Sequence, residues 1–310
     1  MSFRPAMAAW RQRLPGLVLT LLLPTLAHAW GADGHRITGY VAQPLLGPVA
    51  VRELRELMGG VDVPAWSTWM DEQRDRLRTT VPGSPKWHYD NRPVCREAPR
   101  EEVCPDGDCA SEQADRLMGV LSDPEAPVEA RRQAVLMLVH IIGDLHQPLH
   151  AGEHGDLGGN QVRVTLVGPL FPTNLHAVWD SDLVNMTLWQ GPTTTAAGIT
   201  MVRGNAQRLA RRFRPRFAAW RTGSVENWFE ESRALSRQFV YAPLPGFRCD
   251  LPTQAKGAAP LALPTAYVET ARSLVPGQLA RAGVRIAHVL NTTLEAAARR
   301  RQTSVARTPP

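Results

Sequence analysis

Five histidines and three aspartates lie between residues 140 and 180, and this cluster constrains the fold more than any other feature. Its members are His140, Asp144, His146, His150, His154, Asp156, His176 and Asp180. His140 precedes Asp144 by four positions and His176 precedes Asp180 by four, so each pair would share one face of a helix. An imidazole and a carboxylate on one face can bind a single cation. The spacing therefore predicts helices that carry a metal site.

Helical periodicity dominates the remaining sequence. Apolar residues recur at three- and four-residue spacing in eight segments, which are 36–46, 48–58, 64–79, 111–122, 126–146, 203–215, 224–240 and 265–298. Residues 161–167 instead alternate like a strand and predict a small hairpin. We see neither an internal repeat nor a domain linker. The predicted fold class is all-α, a single mostly helical domain with a short β-hairpin.

The first 29 residues resemble a secretory signal. An arginine-containing leader precedes an apolar run over 17–26 and the small-x-small cleavage site Ala27-His28-Ala29. The alternative is a membrane anchor, but the run is too short to span about 30 Å of hydrocarbon and contains Pro24. We expect a secreted or periplasmic protein whose mature chain begins at Trp30. The predicted domain is 30–296, followed by a basic, disordered tail over 297–310.

Net charge and cysteine content constrain the class of protein less than the histidine and aspartate cluster does. Loss of the three leader arginines would lower the formal net charge from +6 to +3, too little to indicate nucleic acid by itself. The four cysteines are Cys95, Cys104, Cys109 and Cys249. In an exported protein an even number suggests two disulfides, with three pairings possible. None lies near the histidine and aspartate cluster, which disfavours a thiolate zinc site.

Several ordered motifs together resemble one family. They are His140-x3-Asp144-x-His146-Gln-Pro-Leu-His150, Asp156-x-Gly158-Gly159-Asn160 and Asn174-Leu-His176-Ala-Val-Trp179-Asp180. They resemble the signature of the secreted, zinc-dependent single-strand nucleases, the S1/P1 family. The segments 30–35, 69–74, 87–89 and 282–291 extend the resemblance over 30–295. It implies the helical fold that these nucleases share with zinc phospholipase C.

The resemblance implies three zinc ions and their ligands. One ion would be bound by Asp71, His88, His140 and Asp144; the second by bridging Asp144, His35 and the free amine and carbonyl of Trp30; the third by His150, His176 and Asp180. All nine positions carry the residue type that the family requires. Chelation by a terminal amine would explain cleavage just before Trp30. Two close zincs sharing Asp144 would activate water as the nucleophile.

Other roles follow from the same resemblance. Arg74 would stabilise the transition state beside the catalytic carboxylates Asp71 and Asp144. Tyr89 would stack on a base. Asn91 and Asn160 would hydrogen-bond a base edge.

Each of these four positions also has a structural alternative. Arg74 could form a salt bridge with a neighbouring acid, and Tyr89 could fill the core. Asn91 could be a turn residue, and Asn160 could cap the Gly158-Gly159 turn.

Some positions depart from the family pattern or stand outside it. Asp90 replaces an apolar residue and would place a negative charge near the base site. His154 and the loop 151–157 are not standard, and His146 and His288 are interpreted as structural residues or as residues that support the metal ligands. The cysteine spacing resembles the family's, which implies the pairs Cys104–Cys109 and Cys95–Cys249.

The implied activity is hydrolysis of single-stranded DNA and RNA to 5′-phosphorylated products, with activity on 3′-nucleotides. We expect no stable membrane association and no obligate protein partner. One alternative is a zinc phospholipase C, which usually has Glu where Asp180 stands and lacks the Gly-Gly-Asn run. The other is a non-catalytic metal- or nucleotide-binding protein, which would be expected to have lost a ligand.

Overall fold

The computed structural model describes residues 30–166, 172–188 and 195–305, so the predicted leader lies outside the described residues. Within these ranges the helices are α1 (Ala32–Ala42), α2 (Pro48–Met58), α3 (Val63–Trp66), α4 (Trp69–Glu72), α5 (Arg74–Thr80), α6 (Arg100–Val103), α7 (Ala110–Ser122), α8 (Val128–Asp144), α9 (Pro148–Ala151), α10 (Leu175–Ala177), α11 (Leu183–Thr187), α12 (Ala196–Phe213), α13 (Phe217–Trp220), α14 (Val225–Leu235) and α15 (Thr265–Val305). Short 3-10 or π segments lie at Gln43–Leu45, Ser84–Lys86, Val178–Asp182, Arg214–Arg216 and Ser236–Tyr241.

The 41-residue helix α15 is the longest element and organises the packing. It contacts α1, α2, α7, α8, α11 and α12. It approaches α1 closely at Gly283, where an added Cβ would lie 2.6 Å from the carbonyl oxygen of Thr38. Glycine at this position therefore allows the two backbones to approach. Because α1 carries His35, the packing of α1 against α15 fixes the position of the His35 side chain in the core.

Helix α8 lies in the interior and carries His140 and Asp144. From Met137 to Asp144 every side chain is buried, so the apolar stripe predicted from the sequence is surrounded on all sides. The chain turns after Asp144, and Pro148 then begins α9. The side chain of Gln147 caps α9 by accepting a hydrogen bond from Leu149 N. This turn brings His150 back towards the end of α8.

The strands are β1 (Arg92–Pro93), β2 (Gly152–Glu153), β3 (Arg163–Thr165), β4 (Thr173–Asn174) and β5 (Leu261–Ala262). β1 and β2 pair in parallel. β3 pairs antiparallel with β4, which gives the expected hairpin, and parallel with β5. The expected mostly helical fold with few short strands is confirmed.

No helix in the described ranges has the length and apolar character needed to cross a bilayer.

Two disulfides crosslink loop segments of the domain. Cys95 is bonded to Cys249, which joins the loop before α6 to the segment before β5. Cys104 is bonded to Cys109 and closes a short loop between α6 and α7. Of the three pairings that the sequence left open, the structure contains the one that the family resemblance implied.

The predicted helix 64–79 is divided into α3, α4 and α5. The Ser67 hydroxyl donates to the Pro64 carbonyl at 2.7 Å, and the Thr68 hydroxyl donates to the Ala65 carbonyl. Such local side-chain hydrogen bonds compete with continuation of a helix. The interruption leaves the Ser67 carbonyl available to a side chain from α8.

The predicted boundary at residue 296 falls inside α15, which continues to Val305. Ala297 and Ala298 are buried, and Arg301 forms an ion pair with Glu53. The basic residues expected to form a disordered tail therefore continue the helix, because their apolar neighbours pack and one arginine finds a buried acid. Residues 306–310 lie outside the described residues.

Candidate metal centre

Three groups of histidine and aspartate side chains converge in the interior. They are His35, His140 and Asp144; Asp71, His88 and His140; and His150, His176 and Asp180. Within each group the potential ligand atoms lie within 4.8 Å of one another. All of these side chains are buried except that of Asp71, which is partly exposed. The structure thus brings together every predicted metal ligand that would bind through its side chain.

These ligands come from segments far apart in the sequence. His35 lies on α1, Asp71 on α4, His140 and Asp144 on α8, His150 on α9, His176 on α10 and Asp180 on the π segment that follows. His88 lies just after the 3-10 turn Ser84–Lys86. The site therefore exists only after α1, α4 and α8 have packed together.

Both carboxylate oxygens of Asp144 face imidazoles. Oδ1 lies 3.1 Å from His35 Nε2, and Oδ2 lies 3.0 Å from His88 Nδ1. Oδ2 is also 3.2 Å from His140 Nε2. Asp144 therefore lies between two ligand groups, as a carboxylate that bridges two cations would.

The polar atoms of His35 and Asp144 fit a cation. Both ring nitrogens of His35 and Oδ1 of Asp144 are buried without a hydrogen bond of acceptable geometry, despite the short distance between the two side chains. Buried polar atoms are normally satisfied. A cation between these two side chains would satisfy His35 Nε2 and Asp144 Oδ1.

The side chains of His150 and His176 are also arranged to bind a metal ion. Nδ1 of His150 donates to the His88 carbonyl at 2.6 Å, and Nδ1 of His176 donates to the Gly158 carbonyl at 2.6 Å. Neutral imidazoles protonated at Nδ1 have a bare lone pair at Nε2. These two Nε2 atoms lie 3.1 Å apart. Two nitrogens bound tetrahedrally to one zinc would be separated by about 3.3 Å, so the pair fits a shared zinc.

The same orientation is imposed on His140. Its Nδ1 donates to the Ser67 carbonyl at 2.7 Å. Its Nε2 consequently faces His88 Nδ1 at 3.1 Å and Asp71 Oδ1 at 3.8 Å. Metal-bound histidines usually donate their second ring nitrogen in this way, which fixes both tautomer and ring orientation.

Burial and charge shift the pKa values of these groups in opposite directions. Burial lowers the pKa of His140, but the carboxylates of Asp144 and Asp71 outweigh it and raise that pKa to about 9. Burial and the neighbouring His150 lower the pKa of His176 to about 3. Burial raises the pKa of Asp180 well above its usual range. A divalent cation would stabilise the ionised Asp180 and the neutral His176 together.

The segment that begins at Trp30 is hydrogen-bonded beside two of the three ligand groups. The indole N–H of Trp30 donates to the carbonyl of Gly143 at 3.1 Å, next to Asp144. The following residue, Gly31, donates its backbone N–H to the Asp180 carbonyl at 2.9 Å. Trp30 itself is fully buried. The segment around Trp30 therefore links the group at Asp144 to the group at Asp180.

Arg74 and Asn91, both predicted to contact substrate, lie near His176 of the third group. Arg74 is partly exposed, and its charge helps to lower the pKa of His176. A Cβ added to Gly158 would lie 3.6 Å from Asn91 Oδ1 and 3.4 Å from His176 Nδ1. Tyr89 is partly exposed next to His88.

Asn160 and Asp90 are engaged within the protein. The amide of Asn160 donates to the Leu157 carbonyl at 2.9 Å, which is the capping contact that the sequence left open as an alternative. Asp90 is buried and accepts hydrogen bonds from Ser111 N at 2.9 Å and Ser111 Oγ at 2.6 Å. The extra carboxylate is therefore directed towards α7 rather than to a bound base.

Two other histidines of the sequence cluster lie outside the three groups. The Nδ1 of His146 donates to Ile142 O at 2.7 Å, and its Nε2 accepts from Arg285 at 3.0 Å. His154 lies 3.0 Å from Thr253 Oγ1. Both side chains have protein partners, which agrees with a structural interpretation of His146.

Sequence reasoning did not assign roles to two supporting residues. The amide of Gln147 donates to Asp180 Oδ1 at 2.6 Å and so orients that carboxylate. Asp156 accepts from Gly159 N, Tyr241 Oη and Thr253 Oγ1, which fixes the turn whose Gly158 carbonyl orients His176. The only available signal was their position inside the motifs, because their partners are up to 97 residues away.

A buried set of histidine and aspartate ligands inside a helical domain defines a metal-binding protein. The chain belongs to the S1/P1 nuclease family, whose sequence profile matches residues 30–295. It is 31% identical to nuclease P1 of Penicillium citrinum over 159 residues, covering 49% of this chain and 57% of the relative. It is 30% identical to nuclease S1 of Aspergillus oryzae over 176 residues, covering 55% and 60%.

A plant relative aligns over a longer range. Endonuclease 3 of Arabidopsis thaliana is 26% identical over 298 residues, covering 90% of this chain and 94% of the relative. The matches to nucleases P1 and S1, in contrast, span less than two thirds of those relatives. The comparisons confirm the resemblance found in the motifs.

Proposed function

We propose that this chain is a zinc-dependent phosphodiesterase that hydrolyses single-stranded DNA and RNA to 5′-phosphorylated products. We also propose activity on 3′-nucleotides, and export with Trp30 as the mature N-terminus. The observation that carries the proposal is the position of Asp144, with its two oxygens facing two ligand groups while the third group lies beside them. The names of the relatives, nucleases and endonucleases, support the same chemistry.

The donor set suits three zinc ions. Asp71, His88, His140 and Asp144 would hold the first ion. Asp144, His35 and the amine and carbonyl of Trp30 would hold the second, and His150, His176 and Asp180 the third. Zinc in such a site polarises a phosphoryl oxygen and makes water nucleophilic near neutral pH.

The chain's own groups would position the phosphate and the ligands. Arg74 can present two N–H donors to a phosphodiester whose negative charge grows during hydrolysis. The carbonyls of Ser67, His88 and Gly158 hold the three imidazoles with Nε2 towards the site. Burial of His35 and Asp144 excludes bulk water from the metal ligands. These parts are in place before substrate arrives, which lowers the reorganisation cost.

Base contacts would come from the partly exposed side of the site. Tyr89 could stack on a base irrespective of its identity, and a base must leave its helix to stack in this way. Asn91 adopts a left-handed backbone with φ 53°, which asparagine tolerates, and its side chain lies beside Gly158. Asn160 would offer its remaining hydrogen-bonding capacity to a base edge.

The decisive assay uses zinc-loaded protein that begins at Trp30. Single-stranded DNA, single-stranded RNA and phosphatidylcholine vesicles are incubated in parallel, each with and without a chelator. We expect chelator-sensitive release of 5′-phosphorylated products and intact lipid. Release of lipid head groups with intact nucleic acid would instead assign the chain to the phospholipase branch. Binding of nucleotides without turnover would indicate a non-catalytic protein.

A further inference from the structure

Positive charge is strongly segregated in this chain. Seven arginines fall between residues 203 and 221, namely Arg203, Arg208, Arg211, Arg212, Arg214, Arg216 and Arg221, and 183–225 contains no aspartate or glutamate. These seven charges exceed the formal net charge of the whole chain, +6. The rest of the chain therefore carries more acidic than basic residues. We call the seven side chains, all of which are exposed, the arginine patch.

Exposed arginines elsewhere commonly have acidic partners. Arg248 lies 2.6 Å from Asp250, and Arg299 lies 3.6 Å from Glu295. In the described ranges none of the seven arginines of the patch forms an ion pair. Like charges three and four residues apart destabilise a helix, as Arg208 and Arg212 do on α12. The C-terminal helix dipole favours Arg211 and Arg212, and Arg203 and Arg208 contact the neutral side chains of Tyr40 and Asn205, but none of these interactions supplies a negatively charged partner.

The patch begins beside elements of the fold that also carry metal-centre residues. The guanidinium of Arg203 lies over the ring of Tyr40, on the same helix α1 that carries His35. The amide of Asn205 donates to the Leu188 carbonyl, just after α11, which follows Asp180 in the chain. Helix α12 therefore packs against the elements on either side of the site. From there the arginines continue along α12 to Arg212, through the 3-10 segment Arg214–Arg216, and to Arg221 just after α13.

We propose that the arginine patch is an exosite that binds the phosphate backbone of a nucleic-acid strand while another part of that strand occupies the metal centre. This inference rests on the proposed function, because it assigns to that function long polymers rather than short fragments. The chemistry is the attraction between phosphate and guanidinium groups that have no acidic partner in the described ranges, and it does not depend on nucleotide sequence. The nine residue steps of helix from Arg203 to Arg212 span about 14 Å, long enough for more than one phosphate of a strand to lie beside the patch.

The test compares two triple variants with the same loss of charge. In the patch variant Arg211→Gln, Arg212→Gln and Arg214→Gln are combined. In the control variant Arg55→Gln, Arg248→Gln and Arg299→Gln are combined, all at exposed positions outside the patch. Substrates are a single strand of about 60 nucleotides and a dinucleotide. The measured quantities are KM, kcat and the melting temperature, at several salt concentrations.

We expect the patch variant to raise KM for the long strand about tenfold at low salt, with kcat and the dinucleotide KM unchanged. The slope of log KM against log salt should fall by about 2, since each lost contact with single-stranded nucleic acid removes about 0.7. The control variant should change these values much less. An equal effect of the two triples, or no effect of the patch triple, would overturn the exosite.

A binding measurement separates failure of the exosite from failure of the proposed function. Fluorescence anisotropy with a labelled duplex of about 20 base pairs reports phosphate binding without requiring turnover. Weaker duplex binding by the patch variant than by the control variant supports the exosite. If the wild type hydrolyses neither substrate, that result contradicts only the proposed function and leaves the binding comparison valid. A patch variant that loses binding to phosphatidylglycerol vesicles but keeps duplex binding would overturn the exosite in favour of an anionic membrane.

Discussion

The indole N–H of Trp30 donates to the backbone carbonyl of Gly143, 113 residues further along the chain. This hydrogen bond fixes the N-terminal residue of the domain beside Asp144, whose carboxylate faces His35 and His88. The position of Trp30 suits a ligand that acts through its backbone, since the side chain is already occupied. Removal of the preceding residues would then complete the site chemically without moving the helices.

We expect extension of the N-terminus to weaken the site. A Gly-Ser extension before Trp30 converts the terminal amine into an amide, which is a poor zinc ligand, so zinc content should fall from about three to about two per chain. Activity should fall with it. Atomic absorption and a hydrolysis assay measure the two effects, with the same extension at the C-terminus as control. Equal zinc content and activity in both proteins would contradict a role for the amine.

Substitutions in different ligand groups should remove different numbers of ions. His176→Ala affects only the third group and should lose about one zinc per chain, whereas Asp144→Asn affects two groups and should lose about two. Zinc per chain and melting temperature are measured together, because metal binding contributes to folding stability. His154→Ala is the control, because His154 lies outside the groups. Identical zinc loss in the two ligand variants would argue against the bridging position of Asp144.

Arg74→Ala should retain zinc and lose turnover. The guanidinium lies near the third group but is not one of its ligands, so kcat should fall by about 10²–10³ with unchanged metal content. Arg76→Ala, an exposed position on the same helix, should keep wild-type kcat. Unchanged kcat in Arg74→Ala would indicate that this arginine forms only a surface salt bridge.

Replacement of Tyr89 should affect binding more than chemistry. Loss of one base–aromatic stack costs about 1–3 kcal/mol, so Tyr89→Ala should raise KM for single strands about fivefold or more. Tyr89→Phe keeps the ring and should keep the wild-type KM. Steady-state kinetics on oligonucleotides measure both variants. If Tyr89→Phe were as impaired as Tyr89→Ala, the hydroxyl rather than the ring would be the contact.

Arg285 should matter for stability rather than for turnover. Its buried guanidinium donates to His146 Nε2, the Trp220 carbonyl and Glu231. Arg285→Gln would leave buried acceptors unsatisfied and should lower the free energy of unfolding by about 2–4 kcal/mol. Urea unfolding measures this. Arg281→Gln, which removes a more exposed partner of the same Glu231, should cost less.

Local patterns in the sequence predict most of the helices, because packing of an apolar face leaves a three- to four-residue period. The predicted segment 48–58 matches α2 at both ends. Two differences arise from contacts that periodicity does not record. Ser67 and Thr68 interrupt the segment 64–79 through local hydrogen bonds, and Ala297 continues α15 because it is buried against other helices.

The sequence by itself determined the chemical identity of the site. Residue types and spacing predicted a metal site between residues 140 and 180, because a metal restricts which residues can bind it and at what spacing on a helix. The ordered motifs indicated the family, and that resemblance implied the individual ligands. Only the tertiary structure decided which ligands meet, that Asp144 lies between two groups, and that Ser67 and Gly158 orient the imidazoles. Those contacts join residues as far apart as His35 and Asp144, and sequence separation contains no information about distances that helix packing creates.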